Sequence, residues 1–443
     1  MRWAILLTAS SVVACGGGGA SPPTVRSGST CPPCPSTSAE GGADASDAAE
    51  ISTDAGDEHL EQAEASLPGD ANAASPEAAM APGADASPGA DGGPTGMWVL
   101  GYYSGFGASL PVGEIDWTGL SHLAIAFYLP DAQGNIDESI SRGSAGPALA
   151  RSLVAAAHAA GKKVLASFGG AGSQPMWQGA TSAAHLAAFE GHVEALVSSY
   201  GFDGVDLDWE PFDPGDHAAL LELAKDLRAK LPAAILTMPV GCENNNAPDD
   251  LSFFATLAPY VDRLNLMSYG LSGAWQGWKS WHSSPLHWNA DTATPIAIDS
   301  SVDDYAKAGV PPGKIGVGSG FYGECYSSPV SGPDQPLGGA TVVAGDGSMS
   351  YANILSGYYS ASARKWDTTA MVPYLTFATA QGQQACTYVT YEDEQSIAAK
   401  GAYARSRGLG GVIIWTINEG YVASAPAGQR NPLLVAMRMA FLQ

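Results

Sequence analysis

Four carboxylates fall within nine residues, Phe202 to Glu210, in the run FDGVDLDWE. Their neighbours Val205, Leu207 and Trp209 are apolar, the company of a buried strand rather than of a solvated acidic face. Alternate side chains of a strand point to opposite faces. Asp206, Asp208 and Glu210 therefore share one face, and Val205, Leu207 and Trp209 share the other. Asp203 has the other parity and stands near the strand's start, where it caps or braces structure. Same-face neighbours lie roughly 6–7 Å apart along a strand. In a poorly solvated site three such carboxyls cannot all ionise, so at least one pKa rises and a proton is held. A carboxyl with a raised pKa is a general acid usable near neutral pH, and Glu210, last in the row, is the natural donor. A hard cation wants a cage of oxygens, whereas alternate positions on one strand give a line. A structural ion network would need Lys or Arg partners, which the strand candidates scarcely offer.

Such a strand has to be buried on both faces, and the chain supplies the means from Met97 onward. Short apolar runs recur at Trp98 to Tyr103, Leu120 to Phe127, Lys163 to Phe168, Gly204 to Asp208, Ala234 to Met238, Arg263 to Met267, Ile315 to Gly318 and Gly411 to Trp415. Between several of them, Pro147 to Ala160, Ala183 to Ser199, Ala218 to Lys230 and Gln395 to Arg407 carry apolar residues at helical spacing. The chain ends in another helical run, Leu433 to Leu442. Eight strands alternating with helices predict an α/β fold, a parallel (β/α)8 barrel. The acidic strand then turns its apolar face out under helices and its carboxylates in, with Glu210 at the C-terminal mouth, where barrel active sites lie. The alternation breaks between the seventh and eighth strands. There, 323–392 reads as a small α+β insertion between strand 7 and its helix, standing beside that mouth.

The first 96 residues differ in kind. The chain of 443 residues holds 44 acids against 20 bases, a balance that excludes nucleic acid as a partner, because phosphates need Lys and Arg. No Lys or Arg occurs from Ser27 to Gly96, so much of the negative charge belongs to this stretch. It is rich in Ala, Gly, Ser, Pro and Asp, cannot bury enough apolar surface to offset its ordering entropy, and is expected to be a disordered, self-repelling spacer over 15–96. Residues 1–14 read as a signal peptide, with Arg2 ahead of an apolar run too short to span a bilayer. Val12-Val13-Ala14-Cys15 resembles a bacterial lipobox, which marks Cys15 for lipidation and the chain for export, to an outer membrane or cell surface or into the medium. Export permits disulfides. Cys31 and Cys34 lie in the spacer. Of Cys242, Cys325 and Cys386, one at least is free or paired elsewhere, and Cys325 with Cys386 is the expected pair.

DGVDLDWE resembles the DGxDxDxE signature of family-18 glycoside hydrolases, the chitinase-like retaining enzymes. Ser167-Phe168-Gly169-Gly170 is similar to that family's SxGG on the third strand, Met267-Ser268-Tyr269 to its MxY on the sixth, and Trp415 to its Trp on the eighth. Trp366-Asp367, Pro373-Tyr374 and Tyr391-Glu392-Asp393 look like the family's α+β insertion. The resemblance spans Met97 to Gln443. It implies substrate-assisted catalysis, an exception to the two-carboxylate scheme. Glu210 protonates the glycosidic oxygen, the substrate's 2-acetamido carbonyl attacks the anomeric carbon, and Asp208 steadies the acetamido N–H. Asp206 shares a proton with Asp208, and Tyr269 donates to the acetamido oxygen. No metal or organic cofactor is needed.

The resemblance also implies Trp415 as the floor beneath the sugar. Tyr102 and Tyr103 differ in parity, so only one faces inward, and Tyr103 is taken as that one. The remaining expected sugar-binding residues are Phe127, Gly169, Gly170, Met267 and Met238, the two methionines reading equally as core or pocket lining. Ser167 supports the acidic network. Of Trp275, Trp278, Trp281 and Trp288, at least one is expected to stack on sugar. Gly270 departs from the family, which commonly has Asp there. The expected function is an endo-hydrolase of β-1,4-linked N-acetylglucosamine polymers, acting as a monomer. The alternatives are an endo-β-N-acetylglucosaminidase on glycoprotein glycans and a non-catalytic surface lectin, and the retained Glu210 argues against the last.

Overall fold

The computed structural model describes residues 96–245, 249–288, 296–344 and 347–443. The expected signal peptide, Cys15 and nearly all of the spacer lie outside them.

Eight parallel strands close into a barrel in the predicted order. They are Trp98–Ser104, His122–Pro130, Lys163–Gly170, Gly204–Trp209, Ile235–Val240, Arg263–Leu266, Ile315–Gly320 and Gly411–Trp415. Each pairs with the next, and the first pairs with both the second and the eighth, which closes the ring. The apolar strands are buried on both faces because the core has two shells. Trp98, Leu100, Tyr102, Ala124, Ala126, Leu165, Ile235 and Ile413 fill the interior. Residues of the opposite parity, such as Val99, Leu123, Val164, Val205, Leu236, Leu264 and Val412, pack outward under the helices. Those helices include Gly146–Ala159, Leu186–Tyr200, His217–Lys230, Ile298–Ala308, Glu394–Ser406 and Pro432–Phe441. The helix between the fifth and sixth strands is a short one, Ser252–Leu257, for which the sequence carries no clear periodic run.

Entry into the acidic strand is built locally. Helix Leu186–Tyr200 stops at Gly201, whose φ of 75° is the left-handed cap that glycine adopts without steric cost. Asp203 follows and braces the strand starts. It accepts hydrogen bonds from the Val164 amide, Lys163 Nζ and His158 Nε2, each at 2.8 Å. Burial works against its charge, but these donors outweigh it and hold the carboxyl below the usual range.

The chain leaves the C-terminal end of the seventh strand into a second sheet. Its five antiparallel strands run in the order Val342–Ala344, Gly323–Tyr326, Cys386–Tyr391, Val372–Gln381, Arg364–Asp367. Helix Tyr351–Gly357 lies within the same excursion. The return is capped by Asp393, which accepts from the Gln395 and Ser396 amides and pairs with Arg364. Buried Lys400 then pairs with buried Glu392 and donates to Ser284 Oγ at 2.5 Å. Cys325 and Cys386 are disulfide-bonded across 61 residues, and Cys242 is a free thiol. Closing a loop of that length restricts the unfolded chain by several kcal/mol in the entropic account. Cys325→Ala/Cys386→Ala should therefore lose about 2–4 kcal/mol in urea unfolding. A loss near zero would show that the sheet holds the insertion without the bridge.

Candidate active site

The fourth strand presents its carboxylates inward, as alternation requires. Register places Asp206 between Ser167 of the third strand and Thr237 of the fifth. Asp206 is wholly buried and accepts three hydroxyl hydrogen bonds, from Tyr102 at 2.8 Å, Ser167 at 2.7 Å and Thr237 at 2.5 Å. Burial pushes its carboxyl up to about 6, and the three donors oppose that rise. Asp208 stands above it, 3% exposed. Burial, then the charges of Glu210 and Asp206, hold its proton well above the usual carboxylate range, and a hydrogen bond with Glu210 adds to the effect. Its Oδ1 is buried and has no hydrogen-bond partner among the described residues. Glu210, at the mouth, is pushed up to about 7 by burial, and the bond from Asp208 tempers the rise. The three carboxyls form a proton-holding column, with the outermost poised near neutrality.

An aromatic floor lies beside the column. Trp415, at the end of the eighth strand, stands 5.5 Å from the rings of both Tyr102 and Phe127, the latter stacked at 23°. Phe106 joins them at 6.2 Å from Phe127. Simple alternation would turn Phe127 outward, since Ala124 and Ala126 face in. An irregularity of register between Ile125 and Tyr128 brings it to the interior. Met267 and Tyr269 pack against the same inner cluster. Room for Tyr269 comes from the seventh strand, where a Cβ on Gly318 would fall 2.9 Å from the Tyr269 ring.

The glycine pair of the third strand is required twice over. Gly169 has φ +102°, and a Cβ there would strike the Asp208 carbonyl at 2.2 Å. Gly170 has φ +91°, and its Cβ would enter the Phe127 ring at 2.5 Å. Both conformations and both approaches exclude side chains. Gly170→Ala should displace Phe127 and lower kcat/KM by on the order of a hundredfold. Near-wild-type kinetics in a folded variant would show that the ring can shift harmlessly.

Two assignments change. Tyr103 does not face the site. It points outward and donates to the Leu110 carbonyl at 2.8 Å, while Tyr102 points in. The first strand starts with Trp98 inward, and even parity carries through to Tyr102. Met238 is likewise in the outer shell, because its neighbour Thr237 is the residue that reaches Asp206. Thr237 and Phe106 are additions. Thr237 could have been found by aligning the fifth strand's alternation with that of the fourth, but no pattern marked Phe106. Among the tryptophans, Trp281 is buried against Ala370 and Val372. Trp275 and Trp278 form an edge-to-face pair at 4.7 Å and are half-buried.

A parallel barrel with a proton-holding carboxylate column and an aromatic floor at its mouth suits acid–base cleavage of a molecule with flat apolar faces and polar edges, which is the description of a sugar. The profile of glycosyl hydrolases family 18 matches residues 98–420, and the chain belongs to that family. Chitinase A1 of Niallia circulans is 29% identical over 274 residues, 54% of this chain and 38% of that protein. A probable endochitinase of Caenorhabditis elegans is 32% identical over 301 residues, 61% of this chain and 46% of that protein. The chain therefore spans less than half the length of either relative. The Group IV chitinase of Ostrinia furnacalis, solved in complex with allosamidin, matches with a TM-score of 0.64 at 22% identity, covering 77% of this chain and 98% of that one. At that identity the likeness is one of fold.

Proposed function

We propose that the protein is a retaining endo-hydrolase of β-1,4-linked N-acetylglucosamine polymers, working through an oxazolinium intermediate. The observation that carries this reading is Asp208, buried next to Glu210 with one carboxylate oxygen that no protein donor satisfies. An acceptor in that position costs free energy unless the substrate brings a donor, and an acetamido N–H is such a donor.

The steps follow from the column. Glu210 gives its proton to the glycosidic oxygen as the bond from that oxygen to the anomeric carbon breaks. The acetamido carbonyl oxygen forms the new bond to the anomeric carbon, and the positive charge spreads onto the acetamido nitrogen. Asp208 turns to accept that N–H, sharing its proton with Asp206, whose three hydroxyl donors favour charge on its oxygens. Tyr269 donates to the acetamido oxygen, and Trp415 supports the distorted ring. Water then attacks the anomeric carbon, Glu210 takes the water's proton, and the carbonyl oxygen leaves, so configuration is retained. The chitinase names of the similar proteins support N-acetylglucosamine polymer as the substrate. The insertion, leaving from the mouth end of the seventh strand, would wall a groove long enough for several sugars.

The test compares the N-acetylglucosamine hexamer with its fully de-N-acetylated counterpart. Cleavage of the first and none of the second is expected. Equal cleavage of both removes the acetamido group from the mechanism, and cleavage confined to N-linked glycoproteins moves the substrate class. On the cell, lipidation at Cys15 would tether the enzyme at a surface facing insoluble polymer. Intact chain in the cell-free medium with an unmodified Cys15 would rule that out.

A further inference from the structure

The column accounts for the carboxylates of the fourth strand, but another buried carboxyl stands in the insertion without a catalytic part. Glu324, on strand Gly323–Tyr326, is completely buried. Among the described residues no Lys, Arg or His pairs with it, and its Oε1 has no hydrogen-bond partner. Its other oxygen accepts from Ser272 Oγ at 2.5 Å, and the Ser283 amide donates at 3.0 Å to Oγ1 of Thr390, the residue paired with Glu324 on the neighbouring strand.

Those two serines lie at opposite ends of one loop. The loop leaves the sixth strand just after Tyr269, at the rim that carries Glu210, and it closes on itself where the Leu271 amide donates to the Ser283 carbonyl at 2.9 Å. Between its ends sit Trp275 and Trp278 in edge-to-face contact. The Gly270 amide donates to Ser283 Oγ at 3.1 Å, and the Ser283 amide in turn donates to Thr390 Oγ1 beside Glu324, so the backbone beside Tyr269 is tied to the insertion sheet. Beyond that amide, Gly270 brings no side chain to the anchor. Its φ is +67°, and a Cβ there would already lie 3.4 Å from the Tyr322 hydroxyl.

We propose that Glu324 is a positioning residue for sugar binding, a staple from the insertion that holds the Ser272 end of the 270–283 loop, whose ends the Leu271–Ser283 bond joins, and so fixes the Trp275–Trp278 pair as a platform for the distal sugars of a long oligosaccharide. The proposal rests on the glycoside-hydrolase reading above. A carboxyl suits the task because its oxygen accepts the Ser272 hydroxyl from across the junction between barrel and insertion. Burial pushes this carboxyl up to about 8, so it carries a proton at neutral pH and leaves no bare charge in the junction. A neutral amide of the same length should therefore replace it.

The test uses the full chain, wild type and three variants, with KM and kcat measured on the hexamer and on the shortest oligomer cleaved. Glu324→Ala should raise KM for the hexamer about tenfold, with kcat and the short-substrate KM within about twofold. Glu324→Gln should restore the wild-type KM. Ser272→Ala, which removes one hydroxyl and little volume, should move the hexamer KM in the same direction, and it carries the test if Glu324→Ala does not fold. An unchanged hexamer KM in Glu324→Ala, or in Ser272→Ala where Glu324→Ala does not fold, overturns the assignment. So does an equal loss on both substrates, or a failure of Glu324→Gln to restore binding. If the wild type cleaves neither substrate, the catalytic reading fails on its own account. Hexamer binding followed by tryptophan fluorescence then decides the staple by the same comparison.

Discussion

Glu210→Gln should abolish cleavage of the N-acetylglucosamine hexamer while leaving the fold and its sugar affinity in place. The amide keeps the size of the side chain and removes the only proton the column holds at the mouth. General acid catalysis by a positioned carboxyl contributes about 10²–10⁴ in rate, and in the proposed mechanism the same residue serves twice, as acid in the first step and as base in the second. The loss in kcat should thus lie at or beyond the upper end of that range. KM should change little, because Glu210 meets the glycosidic oxygen most strongly as the proton moves. A variant retaining a tenth of wild-type kcat would mean that another group protonates the leaving oxygen. Asp208 is the nearest, and the mechanism would have to be rebuilt around it.

The second large effect is the pH profile of kcat/KM, which reports the free enzyme. In the proposed mechanism Glu210 acts as an acid in the bond-breaking step, so the protonated form would be the competent one. Burial has raised its carboxyl to about 7. Activity should therefore hold below that value and fall as pH rises through it, approaching tenfold per unit on the alkaline side. The midpoint belongs to the coupled column rather than to one side chain. For that reason Tyr102→Phe is informative. It removes one of the three donors that oppose the rise in Asp206, and the profile should shift although Tyr102 hydrogen-bonds to Asp206 and not to Glu210. A flat profile from pH 5 to 9 would contradict a general acid poised in this way.

Much of this site is legible in the chain because its elements repeat with known periods. Period-two alternation placed Asp206, Asp208 and Glu210 inside and Val205, Leu207 and Trp209 outside, and the barrel follows from strands and helices in turn. Asp203 shows the same logic in reverse. Its off-phase position marks it as a brace, and the structure gives it three donors at the strand starts. The failures occur where phase has to be carried from one element to another. Tyr102 and Tyr103 are adjacent and chemically alike, and only the packing of Trp98 and Leu100 into the interior decides which of them faces the acids. Phe127 lies past an irregularity of register, so strict alternation would send it outward, and its expected place at the site comes from the resemblance rather than from the period. Phe106 sits on a loop, where no period applies.

Gly270 is of another kind. The sequence shows that a carboxylate common in the family is missing there, yet not what stands in its surroundings. The structure places the Tyr322 hydroxyl close by, and Glu324 of the insertion holds Ser272 two residues on, both contributed more than fifty positions later. Contacts made by a separate sheet across a junction leave no local pattern in the chain.

Central to the proposed mechanism is a nucleophile that belongs to the substrate, with Glu210 acting on one face as acid and then base. The most direct test is proton NMR of the first turnovers on the hexamer, read at the new reducing ends before they mutarotate. β-Anomers are the expected first product, relaxing afterwards to the equilibrium mixture. α-Anomers as the initial product would require water to attack directly from the opposite face and would contradict the mechanism.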